Sequence, residues 1–234
     1  MAQWVGRVQE LRRFPVKSIL GESLPSVTLD ERGLAGDRRW AIRNAAGKFG
    51  SGKTTRRFQY MRGLFALRAR YEGSVPVITM PNGMAYRGDD PAVHEALSRW
   101  LGFSVTVVPE AGISHFDEGP VSVLTSASVG RVSEHFGAAI DPRRFRANIL
   151  IETDATGYVE DQWLGRTLAL GPDVRLALMA PLNRCVMVNN AQDDFSYDAG
   201  ILRTVAQHHG ATLGVWGQVT VPGDVSVGDH IMLL

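Results

Sequence analysis

The sequence predicts a β-rich α+β fold, and three observations carry that prediction. Short segments alternating apolar with polar residues recur along the chain, the period of a half-buried strand. Turn signals built from Gly, Pro, Asn and Asp separate them, as at Pro81-Asn82-Gly83 and Asn44-Ala45-Ala46-Gly47. Few stretches keep helical apolar spacing, and those that do are short.

The elements follow in order. Trp4 to Val8 sets Trp4, Gly6 and Val8 against Val5 and Arg7, a strand. Arg12 to Ser18 contains Pro15, which argues for a loop or strand end, and its Lys17-Ser18 pair offers a cation beside a hydroxyl. That pair suits an anion, or it is simply solvated. Ser23–Leu29 is a short strand whose Pro25 suits an edge. Gly33 and Gly36 bracket a turn before Asp37-Arg38-Arg39, and Trp40 begins the next strand. Leu64–Tyr71 and Val75–Met80 read as strands. Asp90 is a plausible N-cap for the clearest helix, with Ala92, Val93, Ala96, Leu97, Trp100 and Leu101 at helical spacing and Gly102 as its stop. Val105–Val108 returns to strand. The first 110 residues therefore form one β-rich region, and residues 111–234 a second.

Residues 47–54, GKFGSGKT, match the phosphate-binding pattern G-x-x-x-x-G-K-[ST]. That loop needs a buried parallel strand before it and a helix after it. The preceding Arg38–Asn44 stretch is too charged for a strand buried on both faces. The following Thr55–Met61 could be helical, so one of the two conditions stays open.

In the second region, Gly112–Pro120 is a loop carrying His115 and Asp117, with no second His or Cys at zinc-ligand spacing. Val121–Leu124 is a strand running into Thr125-Ser126-Ala127-Ser128. Ser126 or Ser128 caps the helix Val129–Phe136, and such a hydroxyl-rich helix start is either a plain cap or an anion site. Asp141–Asn148 is the most basic short segment. Alternation would place Arg144, Arg146 and Asn148 on one face and Arg143, Phe145 and Ala147 on the other. Strands follow at Ile149–Ile151, Gly165–Gly171 and Arg175–Met179. Cys185, the only cysteine, lies directly after Arg184. It is either a small buried hydrophobe or a thiolate made easier to form by the neighbouring cation. Ile201–His209 is a short helix, and Thr212–Val221 and Ile231–Leu234 complete the strands.

Composition narrows the function. At 234 residues, 44% hydrophobic, 21% charged and net charge +1, the chain has an ordinary globular core and no charge excess suited to nucleic acid or a membrane surface. A single cysteine excludes an intrachain disulfide and fits a cytoplasmic setting. The N-terminus does not read as a signal peptide, and no run approaches the ~20 apolar residues of a membrane span.

Five ordered motifs, Phe14–Ser18, Gly33–Trp40, Arg144–Ile149, Arg184-Cys185 and Val227–Asp229, resemble the MOSC family, in its long form with an N-terminal β-barrel region. The resemblance implies a barrel-like region over 1–110 and a MOSC β-barrel domain with a few short helices over 111–234. It implies a molybdenum cofactor (molybdopterin) with Cys185 as the protein ligand to the metal. Cofactor contacts then fall to Lys17, Ser18, Arg38, Arg146, Asn148 and Arg184, with Thr125, Ser126 and Ser128 holding the phosphate. The implied activity is reduction of a small N-hydroxylated or N-oxide substrate. Its electrons come from a separate electron-transfer protein, because no further cysteines follow for an iron–sulfur domain. A carrier of the cofactor or of sulfur, without turnover, is the alternative from another class, and a nucleotide hydrolase the third. The sequence departs from many relatives at Asn189–Phe195, where they carry Asp-Pro-x-Thr-Gly.

Overall fold

The computed structural model describes residues 2–234. Strand β1 (Gln3–Arg13) contributes Val5, Val8 and Leu11 to the core of the barrel described below. The N-terminal region continues with β2 (Glu22–Leu24), β3 (Ser26–Asp30), β4 (Gly33–Leu34), β5 (Trp40–Asn44), β6 (Phe49–Ser51), β7 (Phe58–Tyr60), β8 (Arg68–Glu72), β9 (Val75–Thr79), β10 (Ala85–Arg87), helix α1 (Pro91–Leu101) and β11 (Val105–Pro109). The second region holds β12 (Val121–Thr125), α2 (Ser126–Phe136), β13 (Ile149–Glu152), β14 (Thr167–Leu170), β15 (Val174–Asn183), α3 (Gly200–His209), β16 (Thr212–Val221), β17 (Gly223–Ser226) and β18 (His230–Leu233).

Seven strands close a barrel in the order β13-β12-β16-β15-β14-β18-β1, with β1 returning to β13 and β2 attached at β1. Its pairings are antiparallel except β12 with β13, whose connection runs through α2. Closure removes the free sheet edges that would otherwise template aggregation. Alternation fills the interior, with Val8, Leu11, Val123, Ile149, Ile151, Leu168, Leu176, Val215 and Ile231 all fully buried. The strand that completes this barrel comes from the first 110 residues, so the barrel draws on both sequence regions. β1 pairs with β18 through its first half and β13 through its second, with register breaks at Trp4/Gly6 and Val8/Glu10. Gly6 is required at the crossing. Its φ of 151° is unfavourable for a side chain, and a Cβ there would meet Glu152 O at 2.2 Å.

The N-terminal region packs the sheet β11-β5-β6-β7 and the meander β10-β9-β8 around Val16, Ile19, Ile42, Leu67, Ile78 and the inner face of α1, where Val93 and Leu97 point inward. Helix α1 begins and ends as its sequence predicts. Asp90 accepts from Ala92 N, Pro91 occupies the first turn, and Gly102 closes it in the left-handed region.

Several sequence expectations change. Pro25 splits Ser23–Leu29 into β2 and β3, because a proline has no N–H for the ladder. Leu64–Ala66 is a 3₁₀ turn that buries the adjacent Leu64 and Phe65 together, and the strand begins only at Arg68. Thr55–Met61 contains β7, which pairs in parallel with β6, and is not a helix. The phosphate-loop pattern therefore sits on a strand-turn-strand unit that lacks the helix a nucleotide needs. Arg143–Asn148 does not alternate. Pro142–Phe145 is a 3₁₀ turn capped by Asp141, whose carboxylate accepts from Arg143 N, and Arg146 leaves it at φ 53°. Thr125, not Ser126 or Ser128, caps α2.

Candidate functional site

The motifs separated in sequence are stitched together at one place. Asp37, fully buried, accepts the Phe14 N–H at 2.7 Å, and Phe14 O accepts from Arg38 N at the same distance. Lys17 N donates to Trp40 O at 2.8 Å. Arg146 then joins the third motif to the first: Nη2 donates to Ile19 O at 2.9 Å, and its guanidinium lies 4.1 Å over the Phe14 ring, which also carries Arg38 at 4.9 Å. Arg184 joins the fourth motif to the third through Nη1 to Phe145 O (2.8 Å) and to β16 through Nε to Leu213 O (2.7 Å). Gly214, at φ 73°, leaves room for this side chain, since a Cβ there would meet Val123 O at 2.6 Å and Arg184 Nη2 at 3.2 Å.

The product is a cleft of about 840 Å³, including its open mouth, between the two regions. Lys17, Ser18, Arg38, Arg146, Arg184 and Cys185 all line it, joined by Lys53, Arg144, Asp117 and Glu118. Six cations thus face two carboxylates, an arrangement that concentrates anions. Cys185 follows the end of β15, is partly exposed, and caps the 3₁₀ turn Val186–Asn189 through its extended backbone.

Three cationic donors in this cleft, Lys17 Nζ, Arg146 Nη1 and Arg184 Nη2, are buried without a hydrogen-bond partner. Lys17 is 2% exposed. Its Nζ lies 2.9 Å from Asp117 Oδ1, an ion pair not aligned as a hydrogen bond, and 4.8 Å over the Phe58 ring. An unpaired buried donor costs about 1–3 kcal/mol, more when charged. Three around one cleft are hard to assign to stability and natural as contacts waiting for a ligand. Burial pushes the Lys17 ammonium down to about 8, against the partial support of Asp117. It pulls Arg146 to about 9, with the Arg38 cation adding to the effect, and Arg184 to about 10. For Asp117, whose side chain is half exposed, desolvation by its neighbours works upward, but the Lys17 ammonium outweighs it and holds the carboxyl below its ordinary range. Backbone strain gathers here as well. Ser18, Arg38 and Arg146 all have positive φ (64°, 50° and 53°), a conformation that non-glycine residues adopt at a cost and mainly at functional sites.

Four expected contacts lie elsewhere. Thr125 and Ser128 turn inward to Glu160, whose Oε2 accepts their hydroxyls at 2.7 and 2.6 Å, so a buried carboxylate occupies the place expected for a phosphate. Ser126 exchanges hydrogen bonds with the Thr153 backbone on the far side of α2. Asn148 is consumed within the barrel: Oδ1 accepts from Ser122 Oγ at 2.7 Å, and Nδ2 donates to Arg12 O at 3.2 Å. It reaches the cleft only through Ser122, which lines it. His115 is buried; its Nδ1 contacts Arg38 O at 3.1 Å and its ring stands edge-on to Phe49.

Sequence reasoning missed Lys53 and Asp117 as parts of this cleft and Glu160 as the partner of Thr125 and Ser128, whereas Arg144 was placed beside Arg146 without a contact of its own. Asp117 carried a usable signal, as a lone acid in a loop when a buried lysine needs a counter-charge. Glu160 carried none, because its partners lie 32 and 35 residues away.

Family comparison agrees with this architecture. The model of the MOSC domain matches residues 110–232, and that of the MOSC N-terminal beta barrel domain matches residues 5–85. MOSC domains are associated with molybdenum-cofactor binding in general. No curated protein matches the chain. Among solved structures, the YuaD protein from Bacillus subtilis is similar over 100% of this chain and 97% of its own, at 13% identity and a TM-score of 0.54. YiiM from Geobacillus stearothermophilus aligns over 49% of this chain and 54% of its own, at 17% identity and a TM-score of 0.36. The first of these shows a shared fold, and the second alignment is too partial to add to it. With both family models matched in order around a cleft that their two regions share, the chain belongs to the MOSC family in its long form, an N-terminal β-barrel domain followed by a MOSC domain.

Proposed function

We propose that the cleft holds a molybdenum–pterin cofactor and that the loaded protein reduces N-hydroxylated or N-oxide compounds with electrons from a separate donor protein. The observation that carries this reading is the convergence, on the cleft that contains Cys185, of three cationic side chains that each keep a buried donor atom without a hydrogen-bond partner. A thiolate is a soft ligand suited to a soft, sulfur-ligated metal. Lys17, Arg146 and Arg184 would hold the anionic, phosphate-bearing part of the group, and arginine's planar fork suits that oxyanion. Arg38, fixed over Phe14, and Lys53 on the opposite wall would add charge and close the mouth. When bound, the group supplies two-electron redox chemistry, which no side chain of the chain can supply. The protein's share is orientation, exclusion of water and a proton source. Lys17 and Asp117, paired at the cleft wall, are the groups best placed to move a proton.

Protein produced in a host that makes the cofactor should carry molybdenum and pterin in near-equal amounts. Cys185→Ala should lose the metal at least tenfold while unfolding at the same temperature as the wild type. Absence of both components from the wild type, or metal retained after Cys185→Ala, overturns the assignment. A fully loaded protein that fails to reduce aromatic N-oxides with an artificial electron donor would instead be a carrier.

A further inference from the structure

A second cavity opens beside the cofactor cleft and shares Met187 with it as a wall. It measures about 1220 Å³ including its mouth, ample for a one- or two-ring molecule. One side is the segment that leaves β7, with Met61, Leu64 and Phe65 buried and Tyr60 half exposed at the rim. The other is the Asn190–Tyr197 loop, in which Tyr197 stands exposed opposite. The Phe65 ring is backed by the Arg146 guanidinium at 5.0 Å, so one wall of this cavity is fixed by a residue of the cofactor cleft.

The loop is held in place. Arg144 donates to Asn190 O (3.3 Å) and Ser196 O (2.8 Å), Arg143 pairs with Asp194 at 3.0 Å, and Arg68 pairs with Asp193. Gln192 and Phe195 exchange backbone hydrogen bonds at 3.1 and 3.0 Å across its tip. These contacts place the Gln192 side chain in the wall, 4% exposed, with Nε2 buried and without any hydrogen-bond partner. A buried amide left unpaired at the end of an aromatic-lined cavity is the signature of a polar contact reserved for a ligand. The charged residues of the wall are Arg62 at the rim and Asp193, which Arg68 already neutralises, so nothing inside the cavity selects a charged ligand.

We propose that this cavity is the substrate site. It selects a flat, uncharged aromatic molecule whose reacting N–O group points past Met187 toward Cys185. A second acceptor on the same ring, a carbonyl or carboxamide, takes a hydrogen bond from Gln192 Nε2. Tyr60, Phe65 and Tyr197 supply the faces for the ring. The assignment rests on the reductase reading above and adds the substrate class and the residue that sets it.

Nicotinamide N-oxide and pyridine N-oxide separate the parts, since they share the ring and the N–O group and only the first has a carboxamide. Titration calorimetry of the purified, cofactor-loaded protein should give about five- to tenfold tighter binding of nicotinamide N-oxide, the range expected for one neutral hydrogen bond. Gln192→Leu should erase that preference. Gln192→Glu, which keeps the shape and removes the donor, should do the same and guards against a folding defect in the first variant. Tyr197→Ala should weaken both compounds to similar extents. Equal affinity of the wild type for the two compounds, or a preference that survives both Gln192 variants, overturns the proposal. Metal content of the same preparations reads the cofactor assignment separately. Wild type from a cofactor-making host that shows the preference but contains no molybdenum sustains the pocket while removing the reductase reading, and loaded protein without the preference does the reverse.

Discussion

Replacing Arg146 by methionine separates what this residue does for the fold from what it does for a ligand. Its guanidinium is partly buried, makes one hydrogen bond through Nη2 and leaves the buried Nη1 unpaired. Apolar replacement of a buried charge is often neutral or stabilising. Arg146→Met should therefore unfold, when metal-free, within a few degrees of the wild type or above it, yet retain cofactor at least tenfold less well, as metal analysis and thermal unfolding will read. A strongly destabilised variant that keeps its cofactor would contradict this. Lys17 makes a pH-dependent prediction. Its folded value, about 8, lies below its ordinary 10.5, so between these values the unfolded chain binds more protons. Stability from this residue should rise as pH climbs from about 8 toward 10.5, with the burial penalty fully present below 8, about 3 kcal/mol in all. Denaturant titrations of wild type and Lys17→Met at pH 7 and pH 10 check it; parallel pH trends would remove it. Anion retention should fall over the same window as the ammonium loses its charge. Cys185, Lys17, Ser18, Arg38, Arg146 and Arg184 could be brought together in advance because their motifs keep order along the chain. Gln192 could not, because its meaning depends on what the loop's arginine anchors exclude from its neighbourhood.

At the level of elements, a buried carboxylate organises the start of α2. Glu160, in the 3₁₀ turn Val159–Trp163, joins that turn to Thr125 and Ser128. Burial pushes its carboxyl above the ordinary range, against the two hydroxyls that favour the charged form. The folded state then binds more protons, so stability from Glu160 should fall as pH rises from the ordinary carboxyl range through the elevated value. Glu160→Gln keeps both acceptor contacts without the charge. It should be more stable than the wild type at pH 7 in urea unfolding and lose the advantage near pH 4, whereas Glu160→Ala should cost about 2–4 kcal/mol by orphaning two hydroxyls. The same element shows where local reasoning fails. A hydroxyl-rich helix start reads as an anion site, and here the anion is internal, supplied from a turn more than thirty residues on. Asp141-Pro142 shows the opposite case. The cue that marked α1 at Asp90-Pro91 was present there too, and the expected alternation overrode it. The phosphate-loop pattern is settled by β7, whose parallel pairing with β6 occupies the place of the required helix. Lys53→Ala should accordingly leave ATP binding at zero, as in the wild type, when followed by calorimetry.

For the whole molecule, strand content and turn spacing foretold a β-rich fold, but closure is a long-range property that no window of sequence contains. A fragment of residues 111–234 lacks β1 and would expose the edges of β13 and β18. It should show no cooperative unfolding by circular dichroism alone and recover it when co-expressed with residues 1–110. Independent folding of that fragment would contradict the role given to β1. The same closure imposes an order on biosynthesis. β1 emerges more than two hundred residues ahead of one of its partners, β18, at residues 230–233. The strand waits unpaired on that side until β18 has been made, and the cleft, whose cations come from residues 17 to 184, needs both regions before it can form. A nascent chain stalled before β18 should therefore leave one side of β1 unpaired and present it to chaperones.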